Sequence, residues 1–358
     1  MSPESASLAR QRAVEVSGDA GLVEGPLHGY HNEAYVFPLP GGAEEVKQVR
    51  WKCREPRPGL LWFDQRCFAS EEQLLRALKG RIEGIPDLIQ TDDVGLQRFI
   101  EGKTLGALYR AGSGIPPSIF RQIVSLFGQL ARVRPDSLTA ERMCRSVDRA
   151  AEGDTSGFLE RLVLFTEERV YQRNLPEFQG LFDSLGLNGD SFANLRRHVS
   201  GLAERPFCLL HADLHRENFV VDAEKRLWTI DWELAMFGDP LYDLATHLYL
   251  MRYPADQQDR MVRHWCAAVE SVVPGSSAGW RDDLPKLLAY KRAQSVFTDV
   301  IRAALHFREH PDAEQFTDAV RKIREVLRPA REPLALATVP DARRVGTALC
   351  EWYEARVR

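Results

Sequence analysis

The hydrophobic period of this chain changes once, near residue 101, and that change limits the folds open to it. Before it, apolar residues run in strand-length sets at 33–37, 46–54, 86–89 and 94–100, with Gly41-Gly42 as a turn. Ser70, then Glu71 and Glu72, then Leu74, Leu75 and Leu78 on one face predict a capped helix among them. Beyond residue 101 helical spacing dominates, over 119–133, 158–171, 241–251, 261–273, 287–307 and 316–327. A loop over 328–333, with Pro329 and Pro333, precedes a last helix at 341–357. One β-region interrupts the helices, a hairpin of 218–221 with 227–231. Strands first and helices later predict an α+β fold. Residues 1–20 read as a loosely ordered lead, 21–101 as a small β-rich unit and 102–358 as a larger helical one.

The late hairpin carries the chemistry. Around it lie His211-x-Asp213-x-x-x-x-Asn218 and the triplet Ile230-Asp231-Trp232. Phosphoryl transfer from a nucleotide is mostly positioning and charge. It needs a carboxylate to orient the attacking hydroxyl, and an amide and a second carboxylate to hold Mg²⁺ against the phosphates. Asp213 suits the first role. Asn218 and Asp231, hard oxygen donors, suit the second. Their order and spacing follow those of a kinase catalytic loop and metal-binding loop. Each alone reads equally well as a turn residue. His211 reads as a structural histidine bonded to loop backbone, Asp239 and Asp243 as caps or braces, and Trp228 and Trp232 as core.

These motifs resemble the aminoglycoside phosphotransferase and choline kinase superfamily, whose members look like protein kinases but phosphorylate small molecules. Its catalytic loop reads His-Gly-Asp-Leu-x-x-x-Asn, and the following Gly-Asp-Pro-x-x-Asp-Leu-Ala is here Gly238-Asp239-Pro240-Leu241-Tyr242-Asp243-Leu244-Ala245. Ala212 stands where glycine is usual. The resemblance implies a protein-kinase-like bilobal fold with a small β-rich N-lobe and a larger helical C-lobe. It also implies a nucleotide, ATP or GTP, Mg²⁺, and a small-molecule hydroxyl acceptor. The glycine-containing loop between the first strands would cradle phosphates through Gly29, Tyr30, His31 and Asn32. Lys52 would neutralise α/β-phosphate charge, with Arg54 as the other candidate, and pair with Glu71. Backbone of Arg98, Phe99 and Ile100 would meet the purine, with Gln97 as gatekeeper and Gly102–105 closing the hinge. Taken without the resemblance, Arg50, Lys52 and Arg54 alternate onto one strand face and read as a solvated edge, and Glu71 and Glu72 as acids at a helix N-terminus.

Bulk properties exclude several classes. The chain has 358 residues, 44% apolar and 27% charged, with no apolar run long enough to span a membrane. A net charge of −4 argues against a nucleic-acid binder. No apolar signal-peptide core is visible in the first twenty residues, and the six dispersed cysteines read as reduced thiols, so a cytoplasmic enzyme is expected. The chain has no Ala-Pro-Glu tripeptide and no long segment between Asp231 and Gly238, unlike a protein kinase. Eight lysines against thirty-nine arginines suggest a GC-rich coding sequence, which within the superfamily points to antibiotic-linked chemistry. The C-terminal third is rich in arginine, Arg252, Arg260, Arg263 and Arg302 among them, and shows no obvious acidic cluster in its helices beyond the catalytic loop, which favours a neutral or anionic acceptor, nucleoside-like or glycosylated, over a polycation. Glu217, Asp239 and Glu270 are the carboxylates that could still make an acidic pocket.

Overall fold

The computed structural model describes residues 7–27, 29, 32–39, 49–57, 64–91 and 94–357. Its first part is a five-stranded antiparallel sheet in the order β1-β2-β3-β5-β4. The strands are β1 (Glu24–Leu27), β2 (Asn32–Pro38), β3 (Arg50–Pro56), β4 (Leu88–Thr91) and β5 (Val94–Arg98). Register places Lys52 opposite Val36 on one side and Gln97 on the other, in the middle of the sheet. The expected turn at Gly41-Gly42 and residues 46–48 lie outside the described residues. Helix α1 (Leu8–Ser17), capped by Ser7, buries Ala9 and Ala13 against Tyr35, Phe37, Cys53 and Leu96, closing one face of the sheet. Its apolar side is two alanines, too small to register as a pattern.

Helix α2 (Glu71–Leu78) starts at Ser70, whose hydroxyl accepts from the Gln73 amide as the sequence predicts. Its Leu74, Leu75 and Leu78 face does not join the small α1 cluster. It belongs to the large core that continues through the helical part. Two close approaches fix the junction. Gly84 has φ +65° and its carbonyl accepts from the Thr229 amide at 2.6 Å, where a Cβ would run into the Leu227 carbonyl. Gly102 passes equally close over the Val221 carbonyl.

Thereafter helices dominate. In chain order they are α3 (Leu105–Leu108), α4 (Pro117–Arg132), α5 (Thr155–Phe165), α6 (Arg173–Ser184), α7 (Asp190–His198), α8 (Pro240–Met251), α9 (Ala255–Glu270), α10 (Trp280–Glu309), α11 (Ala313–Ala330) and α12 (Ala342–Val357). The thirty-residue α10 runs through the core, packing on α8 and α11. A π-helical turn, Thr166–Gln172, joins α5 to α6, so the helix expected over 158–171 continues to Ser184. Helix α11 likewise extends through Pro329, its penultimate residue, into the expected loop, where the proline costs the helix only its own amide hydrogen bond near the end.

The late β-structure exceeds the expected hairpin. Strands β8 (Phe219–Val221) and β9 (Leu227–Thr229) form it, and β6 (Lys103–Thr104) adds a third strand. Strands β7 (Cys208–Leu210) and β10 (Met236–Gly238) pair separately beneath it. Three-residue strands buried on both faces show no alternation, so they leave no period to read. Among the described residues no helix is long and apolar enough to cross a membrane.

Candidate active site

Between sheet and helices lies a cleft of about 1030 Å³ whose lining includes Gly29, Asn32, Lys52, Gln97, Arg98, Phe99, Ile100, Asp213, Asn218 and Asp231. Of the site residues expected from sequence, Tyr30 and His31 lie outside the described residues. Glu71 stands just behind the lining, buried.

The loop between β7 and β8 is held from below. Asp243, on α8, accepts from the His211 amide at 3.1 Å and the Ala212 amide at 2.8 Å. These bonds secure Ala212 at φ 65°, a left-handed conformation that an alanine adopts at a cost of roughly 1–2 kcal/mol. The buried His211 ring lies 3.1 Å from the Ile230 carbonyl and against Trp232. Asp213 follows, its side chain 28% exposed at the cleft floor. The Asn218 amide donates to the Asp213 carbonyl at 2.9 Å and to Asp213 Oδ2 at 3.0 Å. His215 Nε2 lies 3.3 Å from the same oxygen. Burial acts to raise the Asp213 pKa, but the His215 bond and the nearby His211 and Lys291 outweigh it and hold the carboxyl below its usual value. Asp213 is therefore an ionised carboxylate, fixed on one edge and open to the cleft.

Asp231 follows β9 with φ 66°. Burial, with Glu71, Glu233 and Asp213 around it, drives its pKa up to about 7, and only Lys52 counts noticeably the other way. A divalent cation suits this crowd of carboxylates. Asn218 fits the same purpose: its amide hydrogens are spent on Asp213, leaving Oδ1 without a donor among the described residues.

The basic face of β3 is not a solvated edge. Arg50 pairs with Glu101 and Glu24, and Arg54 with Glu71 and, at 2.7 Å, with Glu72. The expected Lys52–Glu71 pair is thus corrected: the longer, forked Arg54 side chain takes Glu71. Glu71 also accepts from the Trp232 amide at 3.1 Å and from Gln97 Nε2 at 3.4 Å, tying α2 to the Asp231 loop. Lys52 stays without an ion pair or hydrogen bond among the described residues. Burial lowers its pKa, Arg54 adds to that, and Glu71 and Asp231 oppose it.

Further along, the Phe99 amide bonds the Arg50 carbonyl at 2.9 Å, whereas the Ile100 amide has no hydrogen-bond partner among the described residues. On the far side Lys291 is buried, with Nζ 2.6 Å from Gln294 Oε1 and 3.4 Å from the Tyr242 hydroxyl, and Gln294 in turn donates to Asp64 at 2.7 Å. Lys291, Gln294 and Asp64 line the cleft but carried no motif, so sequence reasoning missed them. Of the three reserve carboxylates only Glu217 lines the cleft. Asp239 is buried against Arg205, and Glu270 caps the turn at Gly275 and Ser277. Trp232 is core, but Trp228 is half-buried and donates to Asp222 at 2.8 Å.

A small antiparallel sheet over a helical body, with these carboxylates and amides converging at the cleft between them, defines a kinase-like fold. The chain belongs to the phosphotransferase enzyme family, whose sequence model matches residues 25–281. No curated protein is significantly similar by sequence. Among solved structures, the chain is similar to a choline/ethanolamine kinase family protein from Mesorhizobium loti, at 17% identity over 95% of this chain and 97% of that one, TM-score 0.54. It is similar to aminoglycoside phosphotransferase APH(4)-Ia in ternary complex with ADP and hygromycin B, at 14% identity over 90% and 99%, TM-score 0.53. Choline kinase LicA from Streptococcus pneumoniae matches at 15% identity over 92% and 99%, TM-score 0.52.

Proposed function

We propose that the chain is a Mg²⁺-dependent small-molecule kinase that moves the γ-phosphate of ATP or GTP onto a hydroxyl of an antibiotic, neutral or anionic in charge. The observation that carries this is the convergence of Asp213, Asn218, Asp231 and an unpaired Lys52 on one cleft. Asp213, ionised and held by Asn218, orients the acceptor hydroxyl and takes its proton. Lys52, a half-buried cation with no partner among the described residues, meets the phosphates, whose negative charge favours the ammonium form that burial disfavours. The free Ile100 amide offers a purine nitrogen its hydrogen bond. Asp231 and Asn218 Oδ1 would hold Mg²⁺, which when bound neutralises phosphate charge.

Nucleotide complexes of the aminoglycoside phosphotransferase support ATP as donor. The acceptor side supports a neutral or anionic molecule, nucleoside-like or glycosylated. Lys291 faces it without a carboxylate within 4 Å among the described residues, and Asp299 is occupied by Arg302 at 3.5 Å. Ammonium groups entering beside Lys291 would meet a like charge there, with Asp64 and Glu217 the remaining cleft carboxylates of the described residues outside the catalytic group. The test is nucleotide consumption against a panel of nucleoside, glycosylated and aminoglycoside antibiotics, with choline, homoserine, thiamine and sugars, with Mg²⁺ and with chelator. Mg²⁺-dependent turnover of a nucleoside or glycosylated compound is expected. Turnover confined to choline or another primary metabolite would make this a metabolic kinase, and turnover of aminoglycosides alone would overturn the charge argument.

A further inference from the structure

Away from the cleft, a short backbone stitch joins the strap leading into α2 to the segment between α4 and α5. Phe68 and Arg142 pair as an antiparallel bridge, with the Met143 amide donating to the Cys67 carbonyl and the Ala69 amide to the Glu141 carbonyl, both at 3.0 Å. That stitch brings near each other two cysteines 77 positions apart in sequence, Cys67 and Cys144. Both line a cavity of about 150 Å³. Arg149 crosses the pair. Its guanidinium donates to the Cys144 carbonyl at 2.6 and 3.1 Å and lies 3.3 Å from Cys144 Sγ. Arg142 is the second cation near the pair.

This arrangement splits the two sulfurs into different roles. The neighbouring Cys67 pulls the Cys144 pKa down, and the Arg149 guanidinium, 3.3 Å from Cys144 Sγ, likewise favours the thiolate, the nucleophilic form, on Cys144. The neighbouring Cys144 and burial hold the Cys67 thiol up.

We propose that Cys67 and Cys144 form a peroxide-responsive dithiol, with Cys144 as the attacking sulfur and Cys67 as the resolving one. The Cys144 thiolate attacks one oxygen of a hydroperoxide, breaking the O–O bond. The other oxygen leaves with the electron pair, takes up a proton and departs as water or an alcohol, and Cys144 becomes a sulfenic acid. Cys67 sulfur then attacks Cys144 sulfur. The S–S bond forms, the S–O bond breaks, and the departing hydroxide carries off the Cys67 proton as water. Two thiols and one hydroperoxide give one disulfide, one water and one alcohol or second water. The disulfide would pin the strap four residues ahead of Glu71, the carboxylate that ties α2 to Arg54 and to the Asp231 loop.

The full-length protein, reduced and then treated with about one equivalent of hydrogen peroxide, tests this by alkylation and peptide mapping. The expected product is a Cys67–Cys144 cross-linked peptide, with free thiols falling from six to four. In Cys67→Ala, dimedone should label Cys144 and no intramolecular disulfide should form. In Arg149→Gln, oxidation of Cys144 should slow several-fold. A disulfide between other cysteines, or a free Cys144 while exposed Cys350 is already oxidised, overturns the proposal. If either variant fails to fold, the wild-type map decides alone.

Discussion

Asp213 accepts from the Asn218 amide at its main-chain carbonyl and at Oδ2, the oxygen that His215 also meets. On the proposed function, replacing it with alanine removes the group that meets the acceptor hydroxyl and leaves the nucleotide contacts standing. Asp213→Ala should lower kcat by on the order of 10²–10⁴-fold with nucleotide affinity little changed, measured by turnover beside calorimetry. Wild-type turnover would end its assignment as the base. Asp231→Ala should do the reverse, stripping Mg²⁺-dependent nucleotide affinity, with Asn218→Ala milder because it offers a dipole, not a charge. Equal affinity in wild type and Asp231→Ala would remove the ligand role. Asp213, Asn218 and Asp231 were legible in the sequence because they sit within twenty residues of each other, where spacing is nearly geometry. Lys291 and Gln294 were not legible. They reach the cleft from α10, and helical spacing alone does not say which side of a buried helix meets a ligand.

Among elements, the link from β3 to α2 decides how the two halves of the site stay aligned. Arg54 and Lys52 lie two residues apart on one strand, yet the structure gives them separate tasks. Arg54→Met leaves buried Glu71 and half-buried Glu72 without their cation. Losing one partner of a buried pair costs about 3–5 kcal/mol, so its melting temperature should drop clearly. Lys52→Met removes a cation that no described residue uses. It should keep near-wild-type stability while weakening nucleotide binding. The opposite pattern would exchange the roles. The sequence left this choice open because alternation reports which face a side chain shares, not how far it reaches. Similar limits hid other elements. The strands β7 and β10 are too short for a period, and the only hydrophobic residues α1 buries fully are alanines. Long amphipathic helices such as α4 and α11, and the Ser70 cap of α2, were readable because burial on one face is a strong and repeated constraint.

The whole molecule is held at its centre by a buried ionic group that no motif announced. Arg205 is fully buried and donates to both oxygens of Asp239 at 2.7 Å, to Asp283 at 2.7 Å and to the Ala278 carbonyl at 2.6 Å. Asp239 caps α8 by accepting from the Leu241 amide, and Asp283 accepts from the Ala203 amide at the start of α10. One guanidinium therefore fixes the entry of the two helices on which Asp243 and Lys291 sit. Arg205→Met would strand two buried carboxylates and should destabilise the fold by about 3–5 kcal/mol or more, read by urea denaturation. A change below about 1 kcal/mol would show that the helices hold their positions without it.

The cleft volume has a kinetic and stereochemical consequence. At about 1030 Å³ it stands at the upper end of the range for one drug-sized ligand, about 300–1,000 Å³. On the proposed function, donor and acceptor would share this one cleft. Asp213 lies on the same floor as Asn218 and Asp231, so the phosphoryl group has one short path between the two molecules. Initial velocities measured at several concentrations of each substrate should give intersecting reciprocal lines, not parallel ones. A donor made chiral at its γ-phosphorus should yield product of inverted configuration, the mark of a single displacement. Parallel lines with retention would mean that the phosphoryl group rests on the protein between two visits.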